Sequence, residues 1–388
     1  MITKLSIQHY RSIENLDLEL GPVTLFVGQN GAGKSNIIDA IKFVRDSLRN
    51  GLDWAVAERH GIQNIRQWSP TRPYHVSIGL HARGGEGRWE ANGKFSFTLS
   101  SSGDSYKIHK EEAEWNDIVT TRFRAHRTID IKPVNNFKYS RDKGGCIKTN
   151  WLKDSLTLES GEMEEFFISS PLSHPMRSRL FSDFECYVIF PNTLRDAQKL
   201  SREPHLTSHG ENIASVLKML RRKRKAAAIQ EIVGTMKKIV PNLENITARA
   251  VGSFIVPRFY IRPNQEKGHY FDVDQMSDGT LRLLGILVAL YQDPGPSVIA
   301  LEEPELTVHP GALPLIADAI KEVSETRQVL VTTHSPDLLD QFEPDQIVAV
   351  EYEDGATRAH PLNTTQKKAA RDKLFTLGRM MSFEGLHG

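Results

Sequence analysis

The sequence predicts an α/β fold organised around a parallel sheet, and three observations carry that reading. In the last third, strand-length apolar runs alternate with helical patterns: a helix at 281–291, a strand at 298–301, a helix at 313–323 and a strand at 329–333. Near the start, the apolar run Val23–Val27 leads through a glycine-spaced loop at 28–33 into a helical pattern over Lys34–Asn50, with Ile37, Ile38, Ile41, Phe43 and Val44 on or near one face. Between them lie stretches of strict alternation, which add an antiparallel component.

In chain order, residues 2–20 alternate as two short strands about a turn near 12–15, and Gly21-Pro22 opens the third strand. HVSIGLHA, GKFSFTLS and SYKIHK, within 74–115, are separated by Gly/Ser turns and read as an antiparallel meander. Residues 116–185 have mixed polarity and no stable period, and are read as an insertion. A buried strand is expected at 187–190, and 212–240 is helical with a basic middle, closed by Pro241. Three parts follow: 1–115 and 246–388 as two portions of one α/β body, and 116–245 as an insertion and helical region.

Composition excludes several classes. The 388 residues carry 49 Lys and Arg against 48 Asp and Glu, a net charge of +1, so no global field draws the chain to nucleic acid or a membrane, and any basic contact is local. The longest apolar run, near 283–291, is far short of the roughly 20 residues of a membrane span. The N-terminus shows no apolar signal core, so a cytoplasmic location is expected. Cys146 and Cys186 are too few for a disulfide scaffold or a cysteine zinc site, and are expected to be reduced and packed.

Four elements carry chemistry. Gly28-Gln29-Asn30-Gly31-Ala32-Gly33-Lys34-Ser35 is a phosphate-loop pattern in its required setting between a strand and a helix. Its glycines let backbone N–H groups approach phosphates, Lys34 neutralises the transferring phosphate, and the Ser35 hydroxyl is a magnesium ligand, so ATP or GTP is implied. The strand at 298–301 delivers two adjacent carboxylates, Glu302 to hold Mg2+ and Glu303 to orient or deprotonate the attacking water. Ser277-Asp278-Gly279-Thr280 opens an apolar helix and is either a second anion-binding helix start or an ordinary N-cap. His334 ends a strand where parallel-sheet ligands gather, either as a γ-phosphate sensor or as a structural histidine.

In this order, the four elements resemble the ATP-binding-cassette (ABC) ATPase heads of the SMC and RecF-like group, and more narrowly the OLD-like, AAA_21-type ATPases. The resemblance covers 1–100 and 186–360, and implies a P-loop NTPase head with a mixed β lobe, an inserted region and an α/β lobe. Walker A matches Gly28, Asn30, Gly31, Gly33, Lys34, Ser35 and Asn36; the signature matches Ser277 and Gly279; Walker B matches Glu302 and Glu303; the histidine switch matches His334. Tyr10-Arg11-Ser12-Ile13 looks like the family's first-strand turn, and Glu302-Glu303-Pro304-Glu305 with His309-Pro310 like its Walker B and D-loop run. Glu302 replaces the usual aspartate, as in the OLD-like subgroup, and Asp278 stands where transporters carry glycine. Gln198 is the candidate glutamine-loop residue.

The resemblance implies ATP and Mg2+ as cofactors, and a homodimer in which Ser277 and Gly279 of one chain cap the γ-phosphate held by Lys34 of the other. It further implies a partner regulated or loaded by that cycle, a nuclease in anti-phage defence, or alternatively a nucleic-acid clamp in DNA repair or maintenance. Arg221, Arg222, Lys223, Arg224 and Lys225 form the densest basic run, either a grip on DNA or RNA phosphates or a solvated helix face. His205 and His209 have i, i+4 spacing without a third ligand, and Asp272 and Asp274 without a second metal cluster; neither pair is read as a metal site.

Overall fold

The computed structural model describes residues 1–70, 74–86, 89–122, 129–141, 147–151, 154–158, 183–203, 205–222, 226–263, 267–383 and 386. Strands β1 (Ile2–Tyr10), β2 (Ile13–Glu19) and β3 (Val23–Val27) precede helices α1 (Lys34–Asn50) and α2 (Leu52–Ala57). Strands β4 (Val76–Glu86), β5 (Trp89–Ser102), β6 (Ser105–Arg122), β7 (Ile129–Arg141), β8 (Ile147–Trp151) and β9 (Asp154–Leu158) follow. Next come β10 (Phe184–Tyr187), α3 (Pro191–Arg195), β11 (Gln198–Lys199), α4 (Ile213–Leu220), α5 (Ala226–Lys237), β12 (Leu243–Val251), β13 (Phe254–Ile261) and β14 (His269–Asp272). The remainder is α6 (Asp278–Tyr291), β15 (Val298–Glu302), α7 (Leu313–Ser324), β16 (Gln328–Thr333), α8 (Pro336–Leu339), β17 (Ile347–Glu353), β18 (Ala356–Pro361), α9 (Thr364–Arg371) and α10 (Leu377–Phe383).

The described residues group into two units that do not follow chain order. One comprises 1–21, 29–184 and 350–360; the other comprises 22–28, 185–349 and 361–388. In the first, β2, β1, β4, β5, β6, β7, β8 and β9 pair antiparallel in that order, and β18 runs parallel to β2 with Thr357 opposite Ile13. The meander is the one the alternation predicts, and it continues into the region read as an insertion, through β7, β8 and β9. Leu5, Ile7, Ile78, Leu80, Phe95 and Phe97 are buried, as is the apolar stripe of α1. Tyr10 and Phe97 each meet Phe43 of α1 at 5.9 Å between ring centroids.

In the second unit, β15, β16, β3 and β17 are parallel neighbours, and β10 flanks β15. Every residue of β3 and β16 is buried, including Thr24, Gln328, Thr332 and Thr333, as expected of a sheet covered on both faces. Helix α6 is buried from Leu281 to Leu290 and forms the centre of this core, while β11, β13, β12 and β14 make a small antiparallel sheet of their own. Two expectations shift. The strand expected at 187–190 ends at Tyr187, because Pro191 sits at the first position of α3 and Phe190 becomes its N-cap. The pattern over 212–240 breaks into α4 and α5, with Arg221 as the C-cap of α4.

Candidate functional site

The loop after β3 is built for close backbone approach. Gly31 and Gly33 have φ of 83° and 100°, and Gly33, the N-cap of α1, makes no side-chain cap hydrogen bond. The buried Lys34 side chain folds back along the loop, its Nζ donating to the Gln29 carbonyl at 3.0 Å. Gln29, Asn30, Gly31 and Ser35 are exposed. A helix start capped by glycine, with one ammonium folded along the loop before it, is the kind of donor arrangement a polyphosphate requires.

The parallel register aligns a second set of groups. Glu302 lies opposite Thr332, and Thr333 opposite Val27, so the carboxyl ends of β15, β16 and β3 share one edge, and the phosphate loop leaves β3 from that edge at Gly28. Glu303 has a left-handed backbone, φ 44°, which turns the chain out of the sheet directly after Glu302. Its N–H donates to the Thr332 carbonyl at 2.9 Å, and its own carbonyl accepts from Arg282 Nη2 at 2.8 Å. Glu305 Oε1 accepts from Thr333 Oγ1 at 2.7 Å and from the His334 N–H at 3.0 Å, holding the histidine's backbone. His334 Nδ1 stands 3.5 Å from Oε1 of both Glu303 and Glu305. Among the described residues, neither that nitrogen nor Glu305 Oε2 has a hydrogen-bond partner. A carboxylate such as that of Glu302 and a hydroxyl such as that of Ser35 are each hard oxygen donors of the class that Mg2+ accepts.

Helix α6 starts differently. Ser277 is its N-cap, with Oγ accepting from the Thr280 N–H at 3.2 Å, and Asp278 pairs with Arg195 at 2.6 Å. Asp278 thus has a cationic partner at the position where transporters carry glycine. Gly279 is required by packing, since a Cβ there meets the Thr307 carbonyl at 2.9 Å.

The family model described as "AAA domain, putative AbiEii toxin, Type IV TA system" matches residues 23–340. The chain belongs to this AAA_21 family. Over 110 residues it is 28% identical to the OLD nuclease of Thermus scotoductus, an alignment covering 28% of the chain and 19% of that protein. Over 89 residues it is 46% identical to the DNA replication and repair protein RecF of Corynebacterium jeikeium, 21% of each chain. The chain therefore spans about a fifth of the length of these relatives. An SMC head bound to the C-winged helix domain of ScpA superposes with a TM-score of 0.55 at 16% identity, covering 95% of this chain and 99% of that one. The Smc head with an extended coiled coil from Pyrococcus furiosus, bound to the C-terminal domain of ScpA, gives 0.51 at 14% identity over 96% and 99%. The fold is that of a P-loop NTPase of the ABC-ATPase head type, as the sequence resemblance implied.

Several residues that shape this AAA_21 site carry no motif. Arg282 is 2% exposed and joins the Ile189 carbonyl to that of Glu303; its only sequence signal is a lone cation in an apolar helix. Burial lowers its pKa, opposed by Glu305 and Glu303. The Cys186 thiol is buried, as expected, but also donates to Glu302 Oε1 at 3.4 Å. Under α1, Asp39 receives Arg59 at 2.9 Å, Arg11 at 3.0 Å and the Tyr10 hydroxyl at 2.6 Å. Burial alone raises the Asp39 carboxyl, yet Arg59 and Arg11 outweigh it and hold the group below its usual range; burial and then Asp39 push the Tyr10 hydroxyl well up.

The remaining sequence candidates have other settings. Gln198 gives its amide to the Gly210 carbonyl and accepts the Ala214 N–H, both within 3.3 Å. His205 and His209 face separate backbone carbonyls, those of Pro294 and Val188. Asp272 ends β14 and pairs with Arg249 and Arg258, while Asp274 lies in the short helical turn after it. Arg221 binds Asn245, Arg222 is exposed, and Lys223, Arg224 and Lys225 lie outside the described residues, as does Cys146. Among the described residues no helix is long and apolar enough to cross a membrane.

Proposed function

We propose that the chain binds ATP with Mg2+ on the loop 28–35 and hydrolyses it. One observation carries this reading: Glu302 and Glu303 stand at the strand edge from which the loop departs, with Glu303 turned out by its left-handed backbone and His334 held beside it through Glu305. In this reading Lys34 and the first-turn N–H groups bind phosphate, Ser35 and Glu302 hold the metal, and Glu303 orients and deprotonates the attacking water. Bound Mg2+ supplies charge neutralisation of the polyphosphate.

Two chains sandwich two nucleotides, Ser277 and Gly279 of one facing the phosphate held by Lys34 of the other, and the dimer's cycle regulates or loads a partner. A nuclease in bacterial anti-phage defence is the proposed partner class, in keeping with a family description that names a putative AbiEii toxin and with the similarity to an OLD nuclease, and the cytoplasm is the proposed compartment. Complementation tests the shared site. Ser277→Arg and Lys34→Ala are each expected to be inactive, and their mixture to regain part of the ATPase activity, because one of its two sites pairs an intact loop with an intact signature. A mixture that dimerises with ATP and stays inactive contradicts independent, shared sites.

A nucleic-acid clamp is the second reading, favoured by the outer face of the small sheet. Arg258 stacks 4.3 Å over Tyr270, Tyr270 lies 4.9 Å from Tyr260, and Arg249, Arg262 and the edge-bound Arg221 surround them with Asp272 as the opposing charge. Such a face is expected to bind single strands with affinity that falls steeply from low to physiological salt. Fluorescence anisotropy of a labelled oligonucleotide across salt decides it.

A further inference from the structure

We propose that Thr357 is a positioning residue for the nucleotide: its hydroxyl fixes the Ala32–Gly33 peptide of the phosphate loop. The inference rests on the reading of that loop as the ATP site. Thr357 lies 325 residues from Ala32, on β18, and is 1% exposed. Its backbone is tied to the first turn, the Thr357 N–H donating to the Ser12 carbonyl at 2.7 Å. Its Oγ1 donates to the Ala32 carbonyl at 2.9 Å and lies 2.7 Å from Ser12 Oγ, which accepts from Asn36 Nδ2 at 2.7 Å.

The direction of this relay is fixed by its ends. The Asn36 amide nitrogen only donates and the Ala32 carbonyl only accepts, so the Ser12 proton points to Thr357 and the Thr357 proton to Ala32. The chain of hydroxyls therefore starts on the first turn of α1 and closes on the loop just before that helix. A trans peptide points its C=O and N–H in opposite directions, so anchoring the Ala32 carbonyl on the buried hydroxyl turns the Gly33 N–H away from that hydroxyl. Gly33 belongs to the same arrangement: a Cβ there comes within 2.0 Å of Thr357 Oγ1. The glycine of the motif is demanded by the threonine as well as by a phosphate.

Thr357→Val keeps the shape and removes the hydroxyl; Thr357→Ser keeps the hydroxyl. With Thr357→Val, ATP and ADP affinity is expected to fall about tenfold, and amide exchange of 29–36 in nucleotide-free protein to accelerate while α6 is unchanged. Thr357→Ser is expected to restore both to within about threefold of wild type. Should Thr357→Val not fold, Ser12→Ala cuts the relay one bond earlier and carries the test, with an expected loss of about threefold in affinity; no loss overturns the inference. Nucleotide affinity equal to wild type in Thr357→Val overturns it whatever the exchange rate. Wild-type protein that binds neither nucleotide overturns the ATP reading itself, and this inference with it.

Discussion

The phosphate loop and the carboxyl edge of the parallel sheet are held in opposite ways. The loop is held by polar side chains: Thr357 and Ser12, distant in sequence, with Asn36 of α1 completing their relay, while Asp39 ties α1 to Arg11 and Arg59. The edge hangs on the backbone ladder of β15, β16 and β3, with side chains entirely buried on β3 and β16, and with Arg282 and Glu305 as its polar supports. The difference teaches where each can be broken. The loop is expected to be sensitive to single polar changes far from the motif, and the edge to tolerate them unless they touch the carboxylates or their immediate holders.

The largest expected effect belongs to the edge. Glu303→Gln keeps the size of the side chain and loses the base, so turnover is expected to fall by about 10²–10⁴ while ATP affinity is kept; phosphate release and equilibrium binding measure the two separately. If affinity fell with turnover, the division of labour between the two regions would fail. Lys34→Ala is the counterpart in the loop. Nucleotide affinity is expected to drop by about 2–5 kcal/mol, read by calorimetry.

Asp39→Asn sharpens the contrast, because it lies in neither motif. Removing the carboxylate leaves Arg11 facing a neutral amide and Arg59 with Asp46 at 3.2 Å as its remaining carboxylate, and unfolding in urea is expected to show a loss of about 2 kcal/mol. The folded pKa of Asp39 lies below its unfolded value, so its contribution is fully present above about pH 4 and is lost as pH falls through the folded value. Wild type should therefore lose stability more steeply than Asp39→Asn below about pH 4. Glu305→Gln is the smallest change. It retains an acceptor for the Thr333 hydroxyl and His334 N–H but removes charge beside the imidazole, and turnover is expected to fall about tenfold with melting temperature nearly unchanged.

Sequence made one half of this comparison far more legible than the other. The loop, β3, α1 and the edge carboxylates were readable because a glycine-spaced turn between a strand and a helix, and acids after an apolar run, each lie within a few consecutive residues; β3 and α1 span the stretches expected of them. Thr357, Asp39 and Arg59 gave no signal, since a threonine on a strand, an acid on a helix and an arginine in a turn are ordinary residues whose partners are brought close only by folding. Arg282 and Glu305 lay between these cases: a single cation inside LRLLGILVALY and a third acid in Glu-Glu-Pro-Glu were visible, but their targets, the carbonyl of Glu303 and the N–H of His334, are backbone groups that composition does not reveal. Residues 116–158 resisted for another reason. Strands β7, β8 and β9 alternate only in short pieces, IDIK and FKY in β7, IKTNW in β8 and LTL in β9, and polar stretches between these pieces leave no stable period over the region.

The most direct test of the central claim, that a nucleotide on the loop is cleaved by the edge, is the identity of the nucleotide recovered from protein incubated with ATP and Mg2+. Wild type is expected to return ADP with released phosphate, and Glu303→Gln at equal occupancy to return intact ATP. Intact ATP from the wild type, or ADP formed at the wild-type rate by Glu303→Gln, would contradict it.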